Sequence, residues 1–241
     1  MKLRLTLAIA FAALLLAAGG AVASGRWSPW AHDYVQGVDV SHHQGAIDWR
    51  ALAQDGVRFA YIKATEGGDH VDTRFAMNWR DAQNAGVAHG AYHFFTLCRS
   101  ADAQAANFIA NVPNDPAMLP PAVDLEHMGP CRENAAITDV AAEARRFLDL
   151  VQLHYGVRPI LYVTREFHDA HLADFRGECF WVRSLYSRPD FRQQDWVIWQ
   201  HHNRGSKRGV TGPIDLNAFR GDEAAFAAFA NPHQTNPQTG T

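Results

Sequence analysis

Asp124 and Glu126 stand two residues apart in the run Leu-Pro-Pro-Ala-Val-Asp-Leu-Glu at residues 119–126. The two prolines halt any preceding helix, and residues 122–125 then read as a short buried strand. Side chains two apart on a strand share a face, so both carboxylates project together while Leu125 turns back into packing. Their Cα atoms would lie roughly 6.5–7 Å apart. Such a pair suits acid-assisted cleavage of a glycosidic bond, in which one carboxyl gives a proton and the other supports the charge developing at the sugar carbon. An Asp-x-Glu at a strand end is also an ordinary solvated loop edge or salt-bridge partner, so the surrounding elements decide between the two.

Those elements follow a βα rhythm. Strands are expected at 35–40, 59–63, 88–94, 122–125 and 159–163, separated by helices near 47–53, at 75–85, at 100–110 and at 137–155. Asp48 and Ser100 are placed to cap two of the helices, and Gly86 and Gly156 to end two others. After a short helix near 167–172 the rhythm changes to three strand-like runs, 179–183, 196–200 and 214–216, with little helix between them. Five helix-linked strands and three bare ones suggest a closed α/β barrel whose last third has lost its helices, with an open doubly wound sheet as the alternative.

Composition sets the compartment. Lys2 and Arg4 precede an apolar run and Ala21-Val22-Ala23 offers a cleavage site, so residues 1–23 are expected to be a secretory signal rather than a membrane anchor, followed by an arm at 24–34. Loss of that segment takes the 22 Lys and Arg to 20 against 25 Asp and Glu, a net charge of −5. No basic stripe marks a nucleic-acid binder. One catalytic domain is expected over 35–230 with a disordered tail at 231–241, and the expectation is a secreted or periplasmic monomer that does not stay in the membrane.

In a β/α barrel the functional groups gather where the strands end. Asp39, Glu66, Asp124, Glu126 and Asp215 all fall at or just beyond the expected C-terminal ends, accompanied by Tyr92, Phe94, Tyr162, Trp181 and Trp199. Acids interspersed with aromatic faces suit a sugar, although each aromatic is equally explained as barrel core. No phosphate-binding glycine loop and no nucleophile elbow are present. His42-His43 and His201-His202 point apart on extended chain, so neither a metal nor any other cofactor is expected.

Taken in order, several segments resemble glycoside hydrolase family 25, the Chalaropsis-type lysozymes. They are Gly-Val-Asp-Val-Ser-His-His-Gln-Gly at 37–45 with Ile-Asp-Trp at 47–49, Tyr-Ile-Lys-Ala-Thr-Glu-Gly at 61–67 and Gly-Ala-Tyr-His-Phe at 90–94. Pro-Ala-Val-Asp-Leu-Glu at 121–126, Ile-Leu-Tyr at 160–162, Trp-Gln at 199–200 and Ile-Asp-Leu-Asn at 214–217 complete the set. The resemblance implies an irregular single-domain, TIM-like (β/α)5β3 barrel and an N-acetylmuramidase acting on bacterial peptidoglycan. It places Asp39, Asp124, Glu126 and Asp215 in the catalytic groove, with Tyr92, Tyr162 and Trp199 near the sugar. Glu126 is then the general acid, its proton held chiefly by the neighbouring Asp124. Asp124 either attacks the anomeric carbon or orients the substrate's 2-acetamido group to do so, and the acetamido-bearing substrate favours the second course. After Trp181 the chain reads Val-Arg-Ser-Leu, where members of the family more often continue towards an alanine and a tyrosine. The rival functions are a catalytically silent peptidoglycan-binding module and a metal-dependent deacetylase or hydrolase using His42 or His43.

Three cysteines leave one thiol over, most simply buried. Cys98 and Cys131 follow the third and fourth strands, whose spacing of about 4.8 Å brings them within reach of a disulfide. Pairing of either with Cys179, or three reduced thiols, are the alternatives.

Overall fold

The computed structural model describes residues 31–129, 131, 136–185 and 187–231. The expected signal segment, most of the arm at 24–34 and nearly all of the tail lie outside the described residues. Eight strands close into a barrel: β1 (Val35–Val40), β2 (Phe59–Glu66), β4 (Ala88–Phe94), β5 (Ala122–Leu125), β6 (Ile160–Val163), β7 (Phe180–Arg183), β8 (Trp196–Gly205) and β9 (Ile214–Phe219). The two-residue β3 (His70–Val71) only extends the edge of β2. Pairing is parallel from β1 through β2 and β4 to β8. β9 runs antiparallel to both β8 and β1 and closes the ring.

Helices α1 (Trp49–Gln54), α2 (Phe75–Asn84), α3 (Ala101–Asn111) and α4 (Val140–Tyr155) follow β1, β2, β4 and β5, and a helical turn over 165–172 follows β6. The ends obey local chemistry. Asp48, Ser100 and Asp139 accept from the backbone N–H groups of Ala51, Ala103 and Ala142, and Gly156 ends α4 in the left-handed conformation at φ 72°. α4 starts three residues later than expected. α5 (Glu223–Phe229), which the apolar pattern did not suggest, is capped by Asp222 and presses Phe226 against Phe59 and Phe219.

Strand alternation separates two cores. Val38, Val40, Val123, Leu125, Leu161, Val163 and Val182 point outward into the layer beneath the helices. Val35, Phe59, Tyr61, Ala122, Ile160, Trp181, Ile198 and Phe219 point inward and fill the barrel. The inner filling is tight: a Cβ on Gly37 would come within 2.3 Å of the Phe59 ring. Continuing the same inward alternation toward one rim gives Asp39, Asp124, Arg183, Gln200, Asn217 and Asp215, so polar side chains replace apolar ones where the barrel opens.

Cys98 and Cys131 form a disulfide with a Cα–Cα distance of 5.5 Å, joining the segments after β4 and β5. Cys179 is free and exposed, not buried as its odd count suggested, because it precedes β7 at the rim of the barrel remote from the acids. His201 and His202, just beyond the strand expected at 196–200, are buried within β8, which continues to Gly205. No described helix is long and apolar enough to cross a membrane.

Candidate active site

A cavity of about 320 Å³ opens at the polar rim, lined by Asp39, Tyr92, Asp124, Glu126, Arg183 and Asp215 among others. Asp124 is the last inward residue of β5, and Glu126 follows just beyond its end. Asp39 and Asp215 are direct register partners across β1 and β9. Asp215 stands at the start of its strand, not at its end as expected. Because β9 runs antiparallel, its start lies on the rim where the parallel strands finish.

Asp39 is held by a directional chain. Tyr162 Oη donates to Gln200 Oε1 at 3.0 Å and Gln200 Nε2 donates to Asp39 Oδ2 at 2.9 Å. On the other side Trp181 Nε1 donates to Asn217 Oδ1 at 2.8 Å and Asn217 Nδ2 donates to the same Asp39 oxygen at 2.7 Å. Each aromatic fixes its amide so that an N–H faces the carboxylate. Burial pushes Asp39 up, while Asn217, Gln200, a hydrogen bond from Asp215 and the charge of Arg183 oppose it. Asp215, partly buried and facing Asp39, is pushed up to about 9. The two acids therefore share one proton, carried by Asp215 and donated to Asp39.

Asp124 and Glu126 are both raised, first by burial. On Glu126 the next influence is Arg183, whose Nη1 lies 3.6 Å from Oε2 and favours the charged form, followed by repulsion from Asp39. Asp124 is raised well above the carboxylate range, with Glu126 the strongest neighbouring cause. Both carboxyls therefore favour the protonated form in the unliganded site, where they share a proton. Among the described residues no group donates to the buried Asp124 Oδ1.

Among the aromatics, Tyr92, Phe94, Tyr162 and Trp181 line the cavity. Trp181 packs on Tyr61 at 5.0 Å and on Tyr162 at 4.9 Å, so it serves as floor and as the orienter of Asn217. Trp199 does not reach the cavity. It falls on the outward parity of β8 and donates to the Ser184 carbonyl. Glu66 is likewise turned aside, bound to Lys63 Nζ at 2.6 Å and lining a separate groove that includes Cys98 and Cys131. His42 pairs with the buried Asp72 at 2.7 Å, and His43 stays exposed at the cavity. Among the described residues no cluster of three His, Cys, Asp or Glu side chains is placed to hold a metal ion. Sequence reasoning missed Lys63, Arg183, Gln200 and Asn217. For Arg183, Gln200 and Asn217 the signal was there in the inward parity shared with Trp181, Ile198 and Phe219.

A closed β/α barrel with four acids gathered at the open rim defines a glycoside hydrolase, and the comparisons with known proteins agree. The chain belongs to glycosyl hydrolases family 25, whose sequence profile matches residues 38–210. It is 35% identical over 214 residues to Lysozyme M1 of Streptomyces globisporus, across 82% of this chain and 71% of that protein. The structure of a family 25 glycosyl hydrolase from Bacillus anthracis superposes with a TM-score of 0.76 at 37% identity, covering 81% of this chain and 93% of the other. The bacterial lysozyme of Streptomyces coelicolor gives 0.76 at 33% identity, covering 83% and 99%.

Proposed function

We propose that this chain is a peptidoglycan N-acetylmuramidase that hydrolyses the β-1,4 bond from N-acetylmuramic acid to N-acetylglucosamine. The observation that carries the reading is the pairing of Asp124 and Glu126 on one face of one strand end in an open cavity. The lysozyme relatives support the same substrate.

In this reading Glu126 donates its proton to the glycosidic oxygen as the bond to the muramic C1 breaks. The substrate's acetamido carbonyl oxygen attacks C1, while its N–H donates to the Asp124 carboxylate, which favours the charged form of that group. Asp124 thereby gives up its claim on the shared proton and Glu126 keeps it. Water then opens the oxazolinium ring, losing a proton to Glu126 and restoring the site. Asp39, charged and accepting the proton held by Asp215, stabilises the positive charge that spreads over the ring. Tyr92, Phe94 and the floor made by Trp181 offer aromatic faces to the sugar, and Glu66 and Trp199 have only indirect parts. The sequence of residues 1–23 supports export, which would bring the enzyme to the secreted or periplasmic space where its substrate lies.

Mass spectrometry of the fragments released from purified peptidoglycan tests the reaction. New reducing ends should be muramic. Reducing glucosamine ends, or release of peptides alone, would refute the proposal, and no release at all would favour the silent binding module.

A further inference from the structure

Arg183 enters the cavity beside the group read as proton donor. A cation there works against that donor, because it favours the charged form of Glu126. Its placement suits more than charge balance. The contact with Glu126 at 3.6 Å is longer than a hydrogen bond, and the side chain keeps 29% of its surface exposed. The guanidinium reaches the Tyr162 hydroxyl, the start of the chain through Gln200 to Asp39. It also lines a second groove of about 250 Å³ with Thr164, Arg165, Glu166 and Leu185, so it forms the ridge between that groove and the catalytic cavity.

We infer that Arg183 is a specificity-determining residue that binds a carboxylate carried by the muramic unit of the glycan and releases Glu126 as it does so. The inference rests on the muramidase reading. The muramic sugar carries a lactyl ether. Its carboxylate is free on peptide-stripped glycan and is an amide where a stem peptide is attached, in which case the peptide brings carboxylates further out. Either source presents the same planar acceptor to the guanidinium fork. With Arg183 engaged by substrate, nothing nearby but Lys63 favours the charged form of Glu126, so the acid is armed only when the right ligand is seated.

Initial rates on three tetrasaccharides of alternating glucosamine and muramic acid test this. All are N-acetylated on every sugar; one carries free lactyl carboxylates, one has them converted to neutral methylamides, and one carries an L-Ala-D-Glu dipeptide. The wild-type enzyme should prefer a carboxylate-bearing substrate over the methylamide by about tenfold or more in kcat/KM, the size of one charge-assisted contact. Whichever of the free acid and the dipeptide leads identifies the source. Arg183→Gln should erase the preference, and Arg183→Lys should keep part of it, since a point charge lacks the fork. On the methylamide, the alkaline limb of kcat/KM for Arg183→Gln should move to higher pH than for wild type, a change that a merely structural residue would not produce. Equal wild-type rates on all three substrates, or a preference surviving in Arg183→Gln, would overturn the inference while leaving the muramidase reading intact. Release of no reducing muramic end from any substrate would remove that reading, and this inference with it.

Discussion

From β1 to β6 every barrel strand is followed by a helix or helical turn that covers its outer face, whereas β7, β8 and β9 succeed one another with no helix between them among the described residues. The outer face of β8 is covered differently, by Tyr34 edge-on to Trp196 at 6.1 Å and Arg220 over the same ring at 4.9 Å. The two regions also divide the chemistry. Asp39, Asp124 and Glu126 stand on the helix-flanked strands. Arg183, Gln200, Asn217 and Asp215, which set the charge of those acids, come from the bare ones. Antiparallel closure by β9 makes this possible, because it brings Asp215 and Asn217 beside β1 on the same rim. The bare third is therefore the part of the barrel that tunes the reactive part.

If that division holds, substitutions in the two regions should differ in size. Glu126→Gln keeps the shape but cannot donate the proton, and turnover on purified peptidoglycan should fall by about 10²- to 10⁴-fold with binding retained. Asn217→Ala leaves Asp39 one donor short and should cost less, about 10- to 100-fold, the worth of one hydrogen bond to a charged group. Steady-state rates of the two purified variants, with folding checked by circular dichroism, decide it. A loss in Asn217→Ala equal to that in Glu126→Gln would break the distinction between reacting and tuning groups.

The same division marks what could be read in the sequence. All eight barrel strands were legible, since a run such as Ala122–Leu125 between prolines and an acid has few other readings, and Asp48 and Ser100 announced their helices. The acids were legible because a carboxylate at the end of an apolar strand stands out. The direction of β9 was not, because antiparallel pairing depends on the partner and leaves no local mark. Trp199 was misplaced for a related reason. An aromatic in a strand declares burial but not the side it is buried on, and the register shift between Phe180 and Trp181 on β7 shows how easily parity is lost. Gln200 and Asn217 are amides whose role exists only once Tyr162 and Trp181 orient them from other strands.

The Cys98–Cys131 bridge lies wholly on the helix-flanked side, tying the segments after β4 and β5 across a sequence separation of 33. A loop of that length is worth about 3–4 kcal/mol through restriction of the unfolded chain. Cys98→Ser with Cys131→Ser should lower stability by roughly that amount in urea unfolding. Activity should drop with it, because the bridged segment begins just past Glu126. A double variant as active and as stable as wild type would mean that the reacting half holds its shape without the bridge and that the disulfide is incidental to the site.

The smallest effect expected is also the sharpest probe of the tuning half. Asp215 is held up to about 9 by burial and by Asp39, far above the ordinary aspartate value of 3.8. Below about pH 4 it is protonated in folded and unfolded chains alike and contributes no difference. As pH rises the unfolded chain ionises while the folded carboxyl keeps its proton, so this group lowers stability progressively from about 4 to about 9 and no further beyond. Asp215→Asn cannot ionise, yet its amide still offers an N–H to Asp39. The variant should match wild type in melting temperature near pH 4 and exceed it increasingly toward pH 8. Partial solvent access screens part of the penalty, so the gain should be about 1–2 kcal/mol. That corresponds to a few degrees at roughly 2–4 °C per kcal/mol for a chain of this size. Thermal melts of both proteins at pH 4, 6 and 8 give the comparison directly. A gap that stays constant with pH, or one that favours wild type at pH 8, would show that Asp215 is charged in the folded protein and that the proton shared with Asp39 is not where the site's geometry puts it.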